Sequence, residues 1–242
     1  MIVWTVLETE DDEYRQLKDN GYLICDHNHP KFLPNQSDFK NFTESYDWIS
    51  IQLRKKTNSW KNWWYNFRYS TNKIQYPRWL WYKVDGYNDP LAVNKAFYSG
   101  IPGNYQILVF DIDPSLVLLS DFEAWHHVLN RWYFCYTEEE SDQWEKYLEL
   151  HNINDMNIWD INYINKLSPE QKELVPSLQK KIIDSWQGIF DINNPSEYAF
   201  GKIDDRTVQG VTWVLRKKDF RFSYDITITQ EDIDKYSGDD EE

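Results

Sequence analysis

Residues 105–130, YQILVFDIDPSLVLLSDFEAWHHVLN, constrain the fold of this 242-residue chain more tightly than any other stretch. The apolar run at 107–110 predicts a strand, Asp111-Ile112-Asp113-Pro114 a polar kink, and the apolar run at 116–119 a second strand. Ser120 and Asp121 stand where a helix cap belongs, and Glu123 follows Ser120 at capping-box spacing. Phe122, Trp125, Val128 and Leu129 then recur at helical spacing, so one face of that helix belongs to the core.

The flanking sequence supplies further elements. Residues 2–7 and 22–25 read as strands, with a helix over 10–19 between them closed by Asn20-Gly21, since glycine tolerates the positive φ of a helix end. Residues 26–37 read as loop. A helix over 38–56 carries Phe42, Tyr46, Ile49 and Leu53 on one side. Pro77 launches a strand at 79–84 that ends in the turn dipeptide Asp85-Gly86. Beyond the central stretch, helices are predicted at 138–150, from Ser168-Pro169 up to a break at Pro176, and at 177–190; strands follow at 207–215 and 220–228. Together these predict a single α+β domain over residues 1–236, with a helical insertion at about 138–190 and an acidic, disordered tail at 237–242.

Charge and motif content narrow the function. A net charge of −14 opposes non-specific binding to a nucleic-acid backbone, although a local basic groove remains compatible with it. No run approaches the roughly 18 apolar residues that span a bilayer, and Cys25 and Cys135 show no disulfide spacing, so a cytoplasmic protein without membrane contact is expected. No glycine-rich nucleotide loop, P-loop or nucleophile elbow is present. Cys25-Asp26-His27-Asn28-His29 places three potential ligands, Cys25, His27 and His29, at alternate positions, but it precedes Pro30 and lacks a companion pair, so it reads as polar loop and no metal site is expected. Asp111 and Asp113 read as turn chemistry beside Pro114.

One window departs from the acidic background. No acidic residue stands between Asp47 and Asp85, while Arg54, Lys61, Arg68, Arg78 and Lys83 lie there with Trp60, Trp64 and other aromatics interleaved. Cations alternating with rings suit a groove that holds phosphates and stacks bases, so Arg54, Lys61, Trp64, Arg68, Arg78 and Lys83 form a candidate nucleic-acid surface. The competing explanation is a charge-balancing face toward acidic segments of the same protein.

Val3-Trp4-Thr5-Val6, Trp79-Leu80-Trp81-Tyr82, Leu118-Leu119-Ser120-Asp121-Phe122 with Ala124-Trp125-His126, Ser185-Trp186, and Gln209 with Thr212-Trp213 resemble an uncharacterised prokaryotic family, domain of unknown function 3841. More distantly, the order of pieces is similar to ADP-ribosyltransferase folds of the DNA-modifying toxin branch. That likeness implies two small facing β-sheets with peripheral helices and NAD as cofactor. It places Thr5, Tyr82 and Asp121 beside the cofactor, with Gln209 and His126 as catalytic candidates and a nucleic acid or nucleotide as substrate. The family's catalytic Glu is missing, because Val211 stands about where it would fall. Gln209 can hydrogen-bond a ribose hydroxyl but cannot supply a carboxylate's field or act as a base. Asp111, Asp121 and Glu123 are the substitutes in view. The alternative is a non-catalytic interaction protein of a phage-conflict or toxin setting, whose acidic surface engages a basic protein partner or mimics nucleic acid. Glycan recognition through exposed Trp is a third reading.

Overall fold

Val3, Trp4 and Thr5 are consecutive and all buried, so β1 (Ile2–Glu8) is covered on both faces. Its apolar, β-branched sequence is what a central strand needs. β1 pairs antiparallel along its whole length with β4 (Gly103–Asp111), from Ile2↔Asp111 to Glu8↔Tyr105. On its other edge it registers with β3 (Arg78–Lys83) at one pair, Trp4↔Trp81. β6 (Val208–Thr212) joins β3, β8 (Phe220–Ile228) joins β4, and β5 (Leu118–Asp121) ends the sheet, in the order β5-β6-β3-β1-β4-β8. A separate ribbon pairs β2 (Tyr22–Leu23) with β7 (Leu215–Arg216).

This computed structural model describes residues 1–9, 12–25, 39–62 and 76–238. The chain divides into two units, residues 1–119 with 207–242 and residues 120–206; the expected helical insertion lies within the second. The mixed α+β content follows the prediction, but among the described residues the strands form one six-stranded sheet and a two-stranded ribbon and not two small facing sheets. β1 takes hydrogen-bonded partners on both edges, which merges the strands into one six-stranded ladder and leaves only the two-residue ribbon apart.

In the first unit, one face of the sheet gathers Trp4, Val84, Val93, Ile107 and Val109 into a core, with Trp81, Phe97 and Tyr98 against it. Phe97 and Tyr98 arrive on a 3₁₀ turn, Lys95–Tyr98, whose first N–H groups are capped by Asn94. Asp85-Gly86 forms the expected tight turn, with φ of 47° and 83° and reciprocal Val84–Tyr87 backbone bonds of 2.9 and 2.7 Å. Helices α1 (Asp12–Asn20) and α2 (Phe39–Thr57) fall close to prediction, and Gly21 ends α1 at φ 77°. The loop expected at 26–37 lies outside the described residues.

Three local expectations are corrected. Of the two residues expected at the cap of the central helix, α3 (Phe122–Asn130), Asp121 fills it and the Ser120 capping box does not form: the Asp121 carboxylate accepts the Ala124 N–H at 2.9 Å, while Ser120 is buried within β5. The strand after the Asp-Ile-Asp-Pro kink starts at Leu118, because Asp113 caps a 3₁₀ turn over Pro114–Leu116. Pro176 does not break its helix. α6 (Pro169–Ser185) runs through it, held by the Ser168–Gln171 capping box and by burial of Val175, Leu178 and Ile182 on one face. Burying that face outweighs the backbone hydrogen bond that proline forfeits.

The second unit also contains α4 (Glu138–His151), α5 (Ile161–Lys166) and α7 (Glu197–Phe200). Phe134 packs there against His127, Tyr136 and Phe200, directly over Gly188. A Cβ on Gly188 would sit 2.3 Å from a Phe134 ring carbon, whereas one on Gly100 would meet nothing within 4 Å. Gly188→Ala is therefore expected to destabilise the protein by about 1–3 kcal/mol through overpacking, with Gly100→Ala as the neutral control. Urea unfolding followed by far-UV circular dichroism measures both, and equal midpoints would refute this account of the packing.

Candidate ligand cavity

Beyond the Trp4↔Trp81 pair, residues 5–8 of β1 and residues 77–79 line a cavity of about 400 Å³ in the first unit. That volume falls within the range of small-molecule sites. Tyr46, Tyr76, Trp79, Tyr98 and Tyr105 give it aromatic walls. Tyr46 sits edge-on to Tyr76 at 5.5 Å between centroids and edge-on to Trp79 at 6.1 Å, an arrangement that holds the rings in place. Burial raises the pKa of Tyr46 and, more strongly, of Tyr98, so both hydroxyls stay protonated at neutral pH. Tyr98 donates to the Pro90 carbonyl at 2.9 Å and Tyr105 to the Ile101 carbonyl at 2.8 Å.

The principal charged feature of the lining is an ion pair. Glu13 of α1 meets Arg78 of β3 through two parallel hydrogen bonds, Nη1–Oε1 and Nη2–Oε2, both 2.7 Å. The two side chains are only 9% and 14% exposed, in the order Arg78 and Glu13. A planar guanidinium and a carboxylate match in this geometry, which makes the pair short and directional. The Arg78 Nε–H is buried and has no hydrogen-bond partner among the described residues. Thr5 and Cys25 also line the cavity, both buried, and Glu8 lies at its exposed side.

Of the residues singled out from sequence, Thr5 lines this cavity, and Arg78 does so as a buried partner of Glu13 and not as a surface cation. Tyr82 is half-buried at a bulge, where β3 shifts from Trp81↔Gln209 to Lys83↔Val208. Gln209 therefore shares a face with Trp81 and Trp4, because directly opposed residues of a ladder point the same way. Thr5 follows Trp4 in β1 and points to the other face. Gln209 is 5% exposed, and its Nε2 has no hydrogen-bond partner among the described residues. The convergence of Thr5 and Gln209 on one pocket is not formed.

Arg54 is exposed and lies 5.6 Å from the Trp213 ring centroid, and Lys83 is half-buried. The Lys61 side chain, Trp64 and Arg68 fall outside the described residues, as do His27 and His29. Among the described residues no group of three metal-ligating side chains occurs, and no helix is long and apolar enough to cross a membrane. Asp111 is engaged by Arg221 and by the amino group of Met1, which hold its carboxyl below the usual range.

Asp121 and His126 belong to the second unit. His126 lies at the surface of α3, its Nδ1 3.2 Å from the Glu123 carbonyl, with its ring edge-on to Phe122. Asp121 is buried; desolvation pushes its pKa up to about 6, against the opposing pull of the Ala124 N–H and the Arg206 charge. Arg206 is itself buried, donating to the Ile192 carbonyl at 2.9 Å and to those of Ser196 and Gly201 at 3.2 Å each.

Sequence reading passed over Glu13 and the tyrosines of the cavity wall. Glu13 and Arg78 are 65 positions apart, and nothing local to either residue signals the other. Residues 2–220 match the family described as domain of unknown function (DUF3841). The chain belongs to this family. Searches of curated proteins and of solved structures gave no match.

The buried charges of the two units have separate consequences for stability. Removing one partner of the buried pair strands the other, so Glu13→Ala and Arg78→Ala should each cost about 3–5 kcal/mol. The double variant should lose clearly less than the sum of the two. Strict additivity in urea titrations would show that the pair is not coupled. The second concerns Asp121, whose folded pKa of about 6 exceeds its ordinary value of 3.8. The folded form thus holds the proton more tightly. Its stabilising contribution is complete below about pH 4 and is lost as pH rises through about 6. Asp121→Asn keeps a capping side chain and should flatten the fall in melting temperature between pH 4 and 7 relative to wild type. An unchanged slope would contradict the assignment.

Proposed function

We propose that the first unit is a binding domain for a nucleotide-class ligand, with NAD the candidate named by the sequence resemblance. The observation that carries this reading is the cavity itself: about 400 Å³, walled by aromatic rings, with Thr5 and a buried Arg78–Glu13 pair as convergent polar groups. Planar rings stack on such walls whatever their sequence context, and each stack contributes on the order of 1–3 kcal/mol. Transfer of an ADP-ribosyl unit to a nucleic acid or nucleotide is the reaction to which this reading extends. In that reaction the carboxylate at hand is Glu8, which lines the cavity as Gln209 does not, since Arg78 holds both oxygens of Glu13. A carboxylate there would stabilise positive charge developing at the ribose.

Calorimetric titration of the protein with NAD and with AMP tests binding, and chromatography of released nicotinamide tests transfer. Saturable binding that Tyr76→Ala weakens on the order of ten-fold is expected from the loss of one stacking ring. Binding of neither compound, or binding indifferent to Tyr76, would remove the ligand-site reading. Binding without nicotinamide release would remove only the transferase.

A further inference from the structure

The second unit has a cleft of its own, of about 690 Å³, where α4 ends and the chain turns through Asp155–Asn157 toward α5 and the start of α6. Leu148 and Ile153, both buried, and the half-buried Leu167 give it an apolar floor. Met156, 67% exposed, lies at its open side. The neutral polar groups of the lining hold one another. Gln171 Nε2 donates to the His151 and Asn152 carbonyls at 2.9 and 3.0 Å. The Tyr163 hydroxyl accepts the Asn154 N–H at 2.8 Å, and the Asn154 side chain accepts the Met156 N–H at 3.0 Å. The wall is therefore formed before any ligand arrives.

The carboxylates are less well met. Asp155 accepts the Trp144 Nε1–H through one oxygen at 2.9 Å, whereas Glu145 and Glu149 make no hydrogen bond or ion pair among the described residues. Standing one turn apart on α4, these two repel each other, and a cation beside them relieves that repulsion. Lys166, the cation of the lining, sits in the last turn of α5, where it complements the helix end. Three carboxylates against one ammonium leave the cleft acidic.

We infer that this cleft docks a basic segment of a partner protein, seating an apolar side chain on Leu148, Ile153 and Met156 while an adjacent lysine or arginine meets Glu145 and Glu149. Charge complementarity selects this occupant. A nucleic-acid backbone would be repelled, and a bare metal ion would leave the apolar floor unused. Methionine suits the open side, because its unbranched, polarizable chain adapts to apolar partners of different shape. The net charge of −14 carried by the whole chain speeds encounter with a cationic partner. This docking site is independent of the ligand cavity in the first unit.

Selection from a library of random peptides displayed on phage, with the full chain as bait at physiological salt, tests the inference. Enriched peptides should place lysine or arginine beside leucine, methionine or an aromatic residue. Titrated by calorimetry, they should bind the Glu145→Lys/Glu149→Lys variant at least about ten-fold more weakly than wild type, because each attraction becomes a repulsion. Met156→Asp, an exposed change, should also weaken them. Glu173→Lys/Asp204→Lys makes the same charge change at exposed carboxylates outside the cleft, and should leave affinity within about two-fold because salt screens distant charges. Thermal transitions matching wild type establish that the variants fold. No enrichment, enrichment of acidic or uncharged peptides, or equal weakening by the two charge reversals overturns the inference.

Discussion

The single register pair Trp4↔Trp81 is the constraint on which the first unit depends. β1 is zipped to β4 over its full length, so its position is set from that side alone. Toward β3 it is held at one point, and β3 is held in turn by β6. A strand anchored fully on one edge and at one place on the other leaves room beside it, and that room becomes the cavity. Burial of Trp4 explains why the anchor is firm: its side chain is completely enclosed among Val84, Val93, Ile107 and Val109.

Across that opening, the Glu13–Arg78 pair links α1 to β3. Buried ion pairs are poor sources of stability, because desolvation offsets much of the Coulombic gain. What this one provides is direction. Two parallel hydrogen bonds fix the orientation of the guanidinium plane. The second unit uses a buried guanidinium differently. Arg206 spreads its terminal nitrogens over three backbone carbonyls, closing the segment from Ile192 to Gly201.

Much of the chain was legible from periodicity and end signals. Ser168-Pro169, Gly21 and Asp85-Gly86 act through their own backbones, so they mark the starts and stops that the structure realises. Pro176 and the Ser120 capping box were misread because tertiary burial decides them: one helix face is buried through the proline, and Ser120 is drawn into a strand, leaving Asp121, the other residue named for the cap, to fill that role. The candidate site was legible only in part. Thr5 and Arg78 were singled out, the first for its place beside a cofactor and the second for a surface groove. Only the folded chain gives Arg78 a carboxylate partner and places Thr5 and Gln209 on opposite faces of the sheet.

The sequence by itself determined the mixed helix-and-strand composition, most element positions and the DUF3841 family, because propensity, caps and apolar spacing act over a few residues. Tertiary structure alone decided that the strands join one ladder, that β1 and β3 part beyond Trp4↔Trp81, and that a helix-borne Glu13 neutralises Arg78 inside the opening. Those outcomes are set by pairings between residues tens of positions apart, and no local pattern records which distant partner a strand edge or a guanidinium will take.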